Sequence, residues 1–390
     1  ESGVEINRAD NEGFTPLYLA SYNGHEETVK YLVKSGAEVN RCTNDGRTPL
    51  NAACGSGHKN IVQYLHLSGA DISCANVDGH TPLRSASCNG HQKTVEYLVE
   101  SGVEINRADN EGFTPLYVAS QNGHEETAKY LVKFGAEINR CSNDGRTPVY
   151  AACQYGHRNI VEYLHLSGAD INRSGVHDFT PLRVASYGGH QKTVEYLVKS
   201  GVELNRANND GFTPLYLASY NGHEETVKYL VKSGAEVNRC TNVGRTPLYR
   251  ACLSGHKNIV QYLHLSGADI NCSDVEGFTP LYSASQNGHE EIVKYLVNFG
   301  AEINRCSNDG RTPVYAACQD GHRNIVEYLV ESGVEINYSD GEGCTALYLA
   351  CHNGDEETVK YLVKSGAEVN RCTKDGITPL SFASLKVHKI

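Results

Sequence analysis

Apolar residues come along this chain in pairs of short clusters. In residues 10–42 the first cluster is Leu17-Tyr18-Leu19-Ala20 and the second is Val29 with Tyr31, Leu32 and Val33. The residues between them predict helix ends. Thr15 suits an N-cap, and Pro16 suits a first helical position, where its missing N–H would have had no partner anyway. Asn23-Gly24 closes this short helix, because glycine takes the left-handed conformation without a Cβ penalty. A second helix is expected from about His25 to Lys34, with Glu26 and Glu27 in its first turn and Lys30 and Lys34 towards its end, as the helix dipole favours. Ser35-Gly36 ends it, and a turn-rich stretch runs to Asp45-Gly46, a hairpin signal, before Thr48-Pro49 starts the pattern again.

The pattern recurs every 33 residues. Thr-Pro stands at Thr15, Thr48, Thr81, Thr114 and onwards to Thr378, with Thr345-Ala346 in the one gap, and no residue is inserted or deleted across twelve copies. A strict period of this length means units that cannot bury their apolar faces alone and must stack on copies of themselves. The expected fold is an all-α repeat solenoid with short β-hairpin turns, about twelve 33-residue repeats forming one continuous array over residues 1–390. At roughly 8–10 Å between packed helices, that array extends on the order of 100 Å. Residue 1 falls at the end of a second helix, Ile390 falls where one should begin, and Val387 takes a glycine position. Terminal repeats normally carry polar caps, so the first and last repeats are read as incomplete and the chain as a segment of a longer array.

The unit Asp10-Asn11-Glu12-Gly13-Phe14-Thr15-Pro16-Leu17-Tyr18-Leu19-Ala20, followed by Gly24-His25 and Gly36-Ala37-Glu38-Val39-Asn40, resembles the ankyrin repeat over essentially the whole chain. The recurring Gly-His pairs are read as ties between adjacent repeats. The histidine expected after Thr-Pro-Leu is mostly tyrosine here, with Asn51, Arg84, Arg183 and Ser381 at the remaining copies. Tyrosine can pack there while its hydroxyl finds a neighbour. Asp178 replaces a turn glycine, Asp355 replaces a Gly-His histidine, and Arg250 takes a small or aliphatic position, which marks three places for local looseness or a local partner.

A longer period lies over the first. Residues 1–33 and 100–132 differ only at Leu19/Val118, Tyr22/Gln121 and Val29/Ala128, a separation of 99 residues, as unequal duplication of a three-repeat block would leave. A few founding templates also account for the absence of Met and Trp.

Composition narrows the function classes. A net charge of −11 speaks against nucleic acid, which needs a basic stripe. No apolar run approaches the ~18 residues of a membrane span, so direct membrane insertion is not expected. Of the 14 cysteines, those at Cys54, Cys153, Cys252 and Cys318 fall in first helices and Cys42, Cys141, Cys240 and Cys306 in turns. No ligand spacing for a metal appears, so they are expected as buried or half-buried free thiols of a reducing, cytoplasmic compartment. Catalysis needs dissimilar groups in one pocket, whereas templates supply rows of similar ones. No enzyme, cofactor or metal site is expected.

The resemblance implies that partners lie against the concave side, formed by hairpin tips and first helices. Carried over, the residue before Thr-Pro gives one row (Phe14, Arg47, His80, Phe113, Arg146, Phe179, Phe212, Arg245, Phe278, Arg311, Cys344, Ile377). The end of the first helix gives another (Tyr22, Gly55, Cys88, Gln121, Gln154, Tyr187, Tyr220, Leu253, Gln286, Gln319, His352, Leu385), and Tyr155, next to Gln154, is counted with the binding residues. Aromatic and guanidinium groups are typical hot-spot chemistry, and their alternative use is to stack on one another internally. The expected function is a protein-interaction scaffold or adaptor, with partners that are themselves repetitive or multivalent favoured by the 99-residue recurrence. The alternatives are a structural or elastic rod that self-associates through open-ended contacts, and the repeat arm of a larger protein. The resemblance also implies asparagine hydroxylation at Asn40, Asn139 and Asn238.

Overall fold

The computed structural model describes residues 5–379 and Ser381; Leu385, Val387 and Ile390 lie outside the described residues. Among the described residues twenty-two α-helices alternate between a short first helix and a nine-residue second helix, from α1 (Pro16–Tyr22) and α2 (Glu26–Lys34) to α21 (Ala346–Asn353) and α22 (Glu356–Lys364). They fall into two compact units, residues 1–203 and 204–390. Within each, first helices pack on first helices and second on second: α1 on α3 (Pro49–Ser56) and α2 on α4 (Lys59–Leu67) in the one, α13 (Pro214–Tyr220) on α15 (Pro247–Ser254) in the other.

Each first helix starts where the sequence says. Thr15 is extended at φ −89°, ψ 160°, and its Oγ1 accepts from the Tyr18 amide at 3.1 Å. Thr345 caps α21 in the same way although Ala346 replaces proline, so the cap suffices without the ring. These helices are buried nearly all round: Leu50, Ala53 and Cys54 are fully covered. Second helices are one-sided. In α4, Ile61, Val62 and Leu65 face the core, while the outer faces of helices such as α2 carry pairs like Glu26–Lys30 at 2.7 Å, each worth only a few tenths of a kcal/mol in water. Tyr31, assigned to the apolar face from the sequence, is exposed. Its counterparts lie on the preceding helix pair, as Tyr163 does with its hydroxyl on Lys129 O at 3.4 Å; Tyr31 is in the first described repeat and has none to lie on.

Adjacent repeats are joined by the same hydrogen bonds again and again. His58 Nε2 meets Tyr22 O at 3.1 Å and His157 Nε2 meets Gln121 O at 2.9 Å, and since a carbonyl only accepts, Nε2 carries the proton. Gly24 and Gly123 beside these rings have φ +78° and +80°, and a Cβ on either would fall 2.5–2.6 Å from the imidazole. This is the tie expected of the Gly-His pairs. In the turns, Asp10 Oδ1 accepts from Glu12 N and Phe14 N, and the tip joins the next through Asn44 N to Glu12 O at 3.0 Å. The expected hairpins are thus tight turns closed by backbone bonds such as Asp10 N to Phe14 O and Gly13 N to Asp10 O, too short for strands; among the described residues there is one isolated bridge, Ser339 with Thr345.

The three template breaks are each accommodated. Asp178 and the neighbouring His177 hold φ +58° and +52°, keeping the left-handed turn without glycine. Asp355 caps α22 through Thr358 N, and Asn353 Nδ2 donates to Gln319 O at 2.7 Å, the kind of carbonyl that a histidine reaches elsewhere. Arg250 lies 3.7 Å over the Tyr220 ring. Cys54, Cys153, Cys252 and Cys318 are buried as expected. The expectation fails for the turn cysteines Cys42, Cys240, Cys306 and Cys372, which are exposed because the turn has no second layer above it.

Candidate interaction surface

The row before Thr-Pro is largely turned inward. Phe113 stacks on Tyr117 with centroids 4.4 Å apart, and the Arg146 guanidinium lies 5.3 Å from the Phe113 ring while pairing with Asp144 at 2.5 Å. The reason is local: a residue before the cap and the tyrosine four positions on share one helical turn, and the tyrosine ring is buried between first helices. The same contact recurs as Phe14–Tyr18 at 5.0 Å, Phe212–Tyr216 at 5.2 Å and Phe278–Tyr282 at 4.4 Å. Phe179 instead meets Arg183, 5.5 Å away. Arg245 pairs with buried Asp274 at 3.2 Å, Arg311 with Asp309 at 2.9 Å, and Arg47 with Asp45 at 2.9 Å. These phenylalanines and all the arginines but Arg47 are half-buried. Burial pushes the Tyr150 and Tyr282 hydroxyls up to about 12, so both stay neutral donors.

The row at the helix end is the open one. Tyr22, Tyr155 and Tyr187 are 55%, 47% and 48% exposed, whereas Tyr220 is half-buried under Arg250. Two grooves lie on this face of turns and first helices. One, of about 290 Å³ in residues 1–203, is bounded by Tyr22, Arg47, Asn51, His80, Arg84 and Cys88. The other, of about 520 Å³ in residues 204–390, is bounded by Arg245, Tyr249, Phe278, Tyr282, Arg311 and Leu253. The row reading held His80; it missed Asn51, Arg84 and Asp109, although Asn51 and Arg84 were visible as departures. Asp109, fully buried in the turn, takes Arg84 Nε at 2.6 Å and has His80 Nε2 3.7 Å away. Burial, then the nearby Arg84 charge, holds the His80 imidazole below its ordinary pKa.

The three asparagines singled out for hydroxylation are exposed but tied. Asn40 Nδ2 donates to Gly69 O at 3.1 Å and its Oδ1 accepts from Asp71 N at 2.9 Å; Asn139 and Asn238 make the same pair of bonds to Gly168 and Asp170 and to Gly267 and Asp269. Among the described residues no group of three or more His, Cys, Asp or Glu is placed to hold a metal, and no helix is long and apolar enough to cross a membrane.

A paired-helix stack, Thr-capped and tied by Gly-His and Asn bridges, defines an ankyrin-repeat protein. The family model for ankyrin repeats in sets of three copies matches in overlapping stretches from residues 2–76 to 333–390, and the chain belongs to that family. Among solved structures, the crystal structure of the human ASB11 ankyrin repeat domain is similar, with 28% identity and a TM-score of 0.53 over 57% of this chain and 99% of that one. No curated protein sequence matches the chain. Ankyrin repeats generally mediate protein–protein interaction, and the fold is typically a non-enzymatic binding scaffold.

Proposed function

We propose that this chain is an intracellular scaffold that binds other polypeptides on the face made by the turn tips and first helices, without catalysing a reaction on them. The observation that carries the reading is the placement of both grooves and of exposed Tyr22, Tyr155 and Tyr187 on that face. Such rings supply large contact area at low entropic cost. The half-buried phenylalanines and their arginines contribute edges, not anchors. Free thiols throughout fit a reducing compartment. The test replaces Tyr155 and Tyr187 together with Asp and measures binding of partners already mapped to the chain by cross-linking. Loss of at least tenfold is expected, with Leu166→Ser on a second helix as the control; undiminished binding refutes the reading.

Leucines at second-helix ends favour a second reading, self-association into a rod. Leu67 and Leu166 are 84% and 78% exposed, and Leu265 is 78% exposed in the other unit. Mass growing with concentration in light scattering, abolished by changing these leucines to Ser, would establish it; a constant monomer mass removes it. Asn40, Asn139 and Asn238 remain proposed hydroxylation sites. Because both side-chain ends are bonded, the modifying enzyme must first open the turn, and absence of a +16 Da shift in peptides from native material discards the proposal.

A further inference from the structure

Five of the places where the copies break their own template converge in one groove. Tyrosine stands three residues after the capping threonine in eight of the twelve copies, and the rings of Tyr18, Tyr117 and Tyr150 are buried. The second and third copies carry Asn51 and Arg84 there instead. His80 stands where other copies have Phe, Arg, Cys or Ile, and Gly55 and Cys88 end first helices that elsewhere end in Tyr, Gln, Leu or His. All five line the groove of about 290 Å³. An asparagine in place of a buried ring leaves the ring's volume open, so the groove is a consequence of the substitutions.

The groove's chemistry is donor-rich. Arg47 and Arg84 each give Nε to a carboxylate, Asp45 and Asp109, at 2.9 Å and 2.6 Å. No hydrogen bond is recorded, among the described residues, for the terminal nitrogens of Arg84. None of the groove's bounding residues is acidic, in a chain of net charge −11. Asn51 is 5% exposed; its Nδ2 donates to Cys74 O at 3.2 Å, and its Oδ1, buried, has no hydrogen-bond partner. Buried acceptors are normally satisfied, and guanidinium forks match carboxylates.

Resting on the interaction-face reading above, we propose that this groove receives an acidic segment of a partner polypeptide. A carboxylate side chain is held by the terminal N–H groups of Arg47 and Arg84, a peptide N–H supplies the partner that Asn51 Oδ1 lacks, and the exposed Tyr22 ring covers the segment.

The test uses the full chain and two probes, acetyl-Glu-Asp-Glu-amide and its neutral counterpart acetyl-Gln-Asn-Gln-amide, titrated while the His80 ring resonances are followed by NMR. Saturable shifts are expected with the acidic probe and at least tenfold weaker binding with the neutral one. Asn51→Tyr and Arg84→Tyr, which install the residue that eight other copies carry at this position, should keep the helical circular dichroism and melting and reduce acidic-probe binding at least tenfold. Equal binding of both probes, binding that survives Asn51→Tyr in the folded variant, or no shift up to millimolar probe overturns the proposal. Partners that depend on Tyr155 and Tyr187 while the acidic probe fails leave the interaction face standing and remove only the groove assignment.

Discussion

Gly123→Ala isolates the bond that locks one repeat to the next. Two costs arise, and the structure separates them. A left-handed φ of +80° costs an L-residue about 1–2 kcal/mol, of which about 0.4–1 is returned because alanine has less unfolded-state freedom to lose. The second cost is specific to this glycine: its new Cβ would lie 2.6 Å from His157 Cε1. The ring must move, and the bond from His157 Nε2 to Gln121 O at 2.9 Å is lost, about 0.5–1.5 kcal/mol. The total is roughly 0.5–3 kcal/mol. Gly135 supplies the internal control, since its φ is +97° with nothing within 4 Å of a Cβ. Gly135→Ala therefore carries only the backbone cost.

Native-state hydrogen exchange across residues 115–166 reads the local opening free energy directly. The expected order is Gly123→Ala below Gly135→Ala below the parent. In a His157→Ala background the Gly123→Ala effect should shrink to that of Gly135→Ala, because the ring it displaces is gone. Equal effects of the two glycine changes, or full additivity of Gly123→Ala with His157→Ala, would refute the account of Gly-His as an inter-repeat lock.

Asn139→Ala removes the bonds to Gly168 O and Asp170 N, at 3.0 and 2.9 Å, and should lower the local opening free energy of residues 134–172 by roughly 1–3 kcal/mol, read by the same exchange experiment. Brief iodoacetamide treatment of the native chain should label exposed Cys42, Cys240, Cys306 and Cys372 and spare Cys54, Cys153, Cys252 and Cys318, whose thiols burial pushes far up; peptide mapping by mass spectrometry checks it. Burial holds the His157 imidazole below its ordinary value near 6.5, so the unfolded chain takes up the proton first. The stabilisation is complete above about pH 6.5 and is lost as pH falls below it; lower protection factors in residues 148–166 at pH 5 than at pH 7, each referred to the intrinsic exchange rate at its own pH, with the difference flattened by His157→Gln, are the expected signature.

The helices were legible because each boundary rests on a local rule. Thr15 caps, Pro16 fits a position with no partner to lose, and Gly24 and Gly36 take positive φ whatever surrounds them. The period then fixed which copy meets which. What one repeat does not determine is how far a side chain is covered by its neighbours. Tyr31 and Tyr163 share a sequence context, yet one is exposed and the other lies on the preceding helix pair. Phe113 and Arg146, read as a row open to partners, meet each other and Tyr117 instead, because the turn brings a residue and its counterpart 33 positions on into contact.

That repetition bears on where specificity can reside. Most described junctions reuse the same bonds, Asn to a glycine carbonyl 29 residues on and histidine to a carbonyl 36 residues back, so a change at a locking position weakens the stack without changing what the surface reads. The face of turns and first helices carries no such duty at its open positions. There the copies diverge, at Asn51, Gly55, His80, Arg84 and Cys88, while Thr48 and Thr81 still cap their helices and His58 and His91 still bond to the preceding repeat. Divergence gathered in this groove while both locks persist separates recognition from architecture, and it predicts that restoring template residues in the groove leaves the stack intact while erasing what the groove distinguishes.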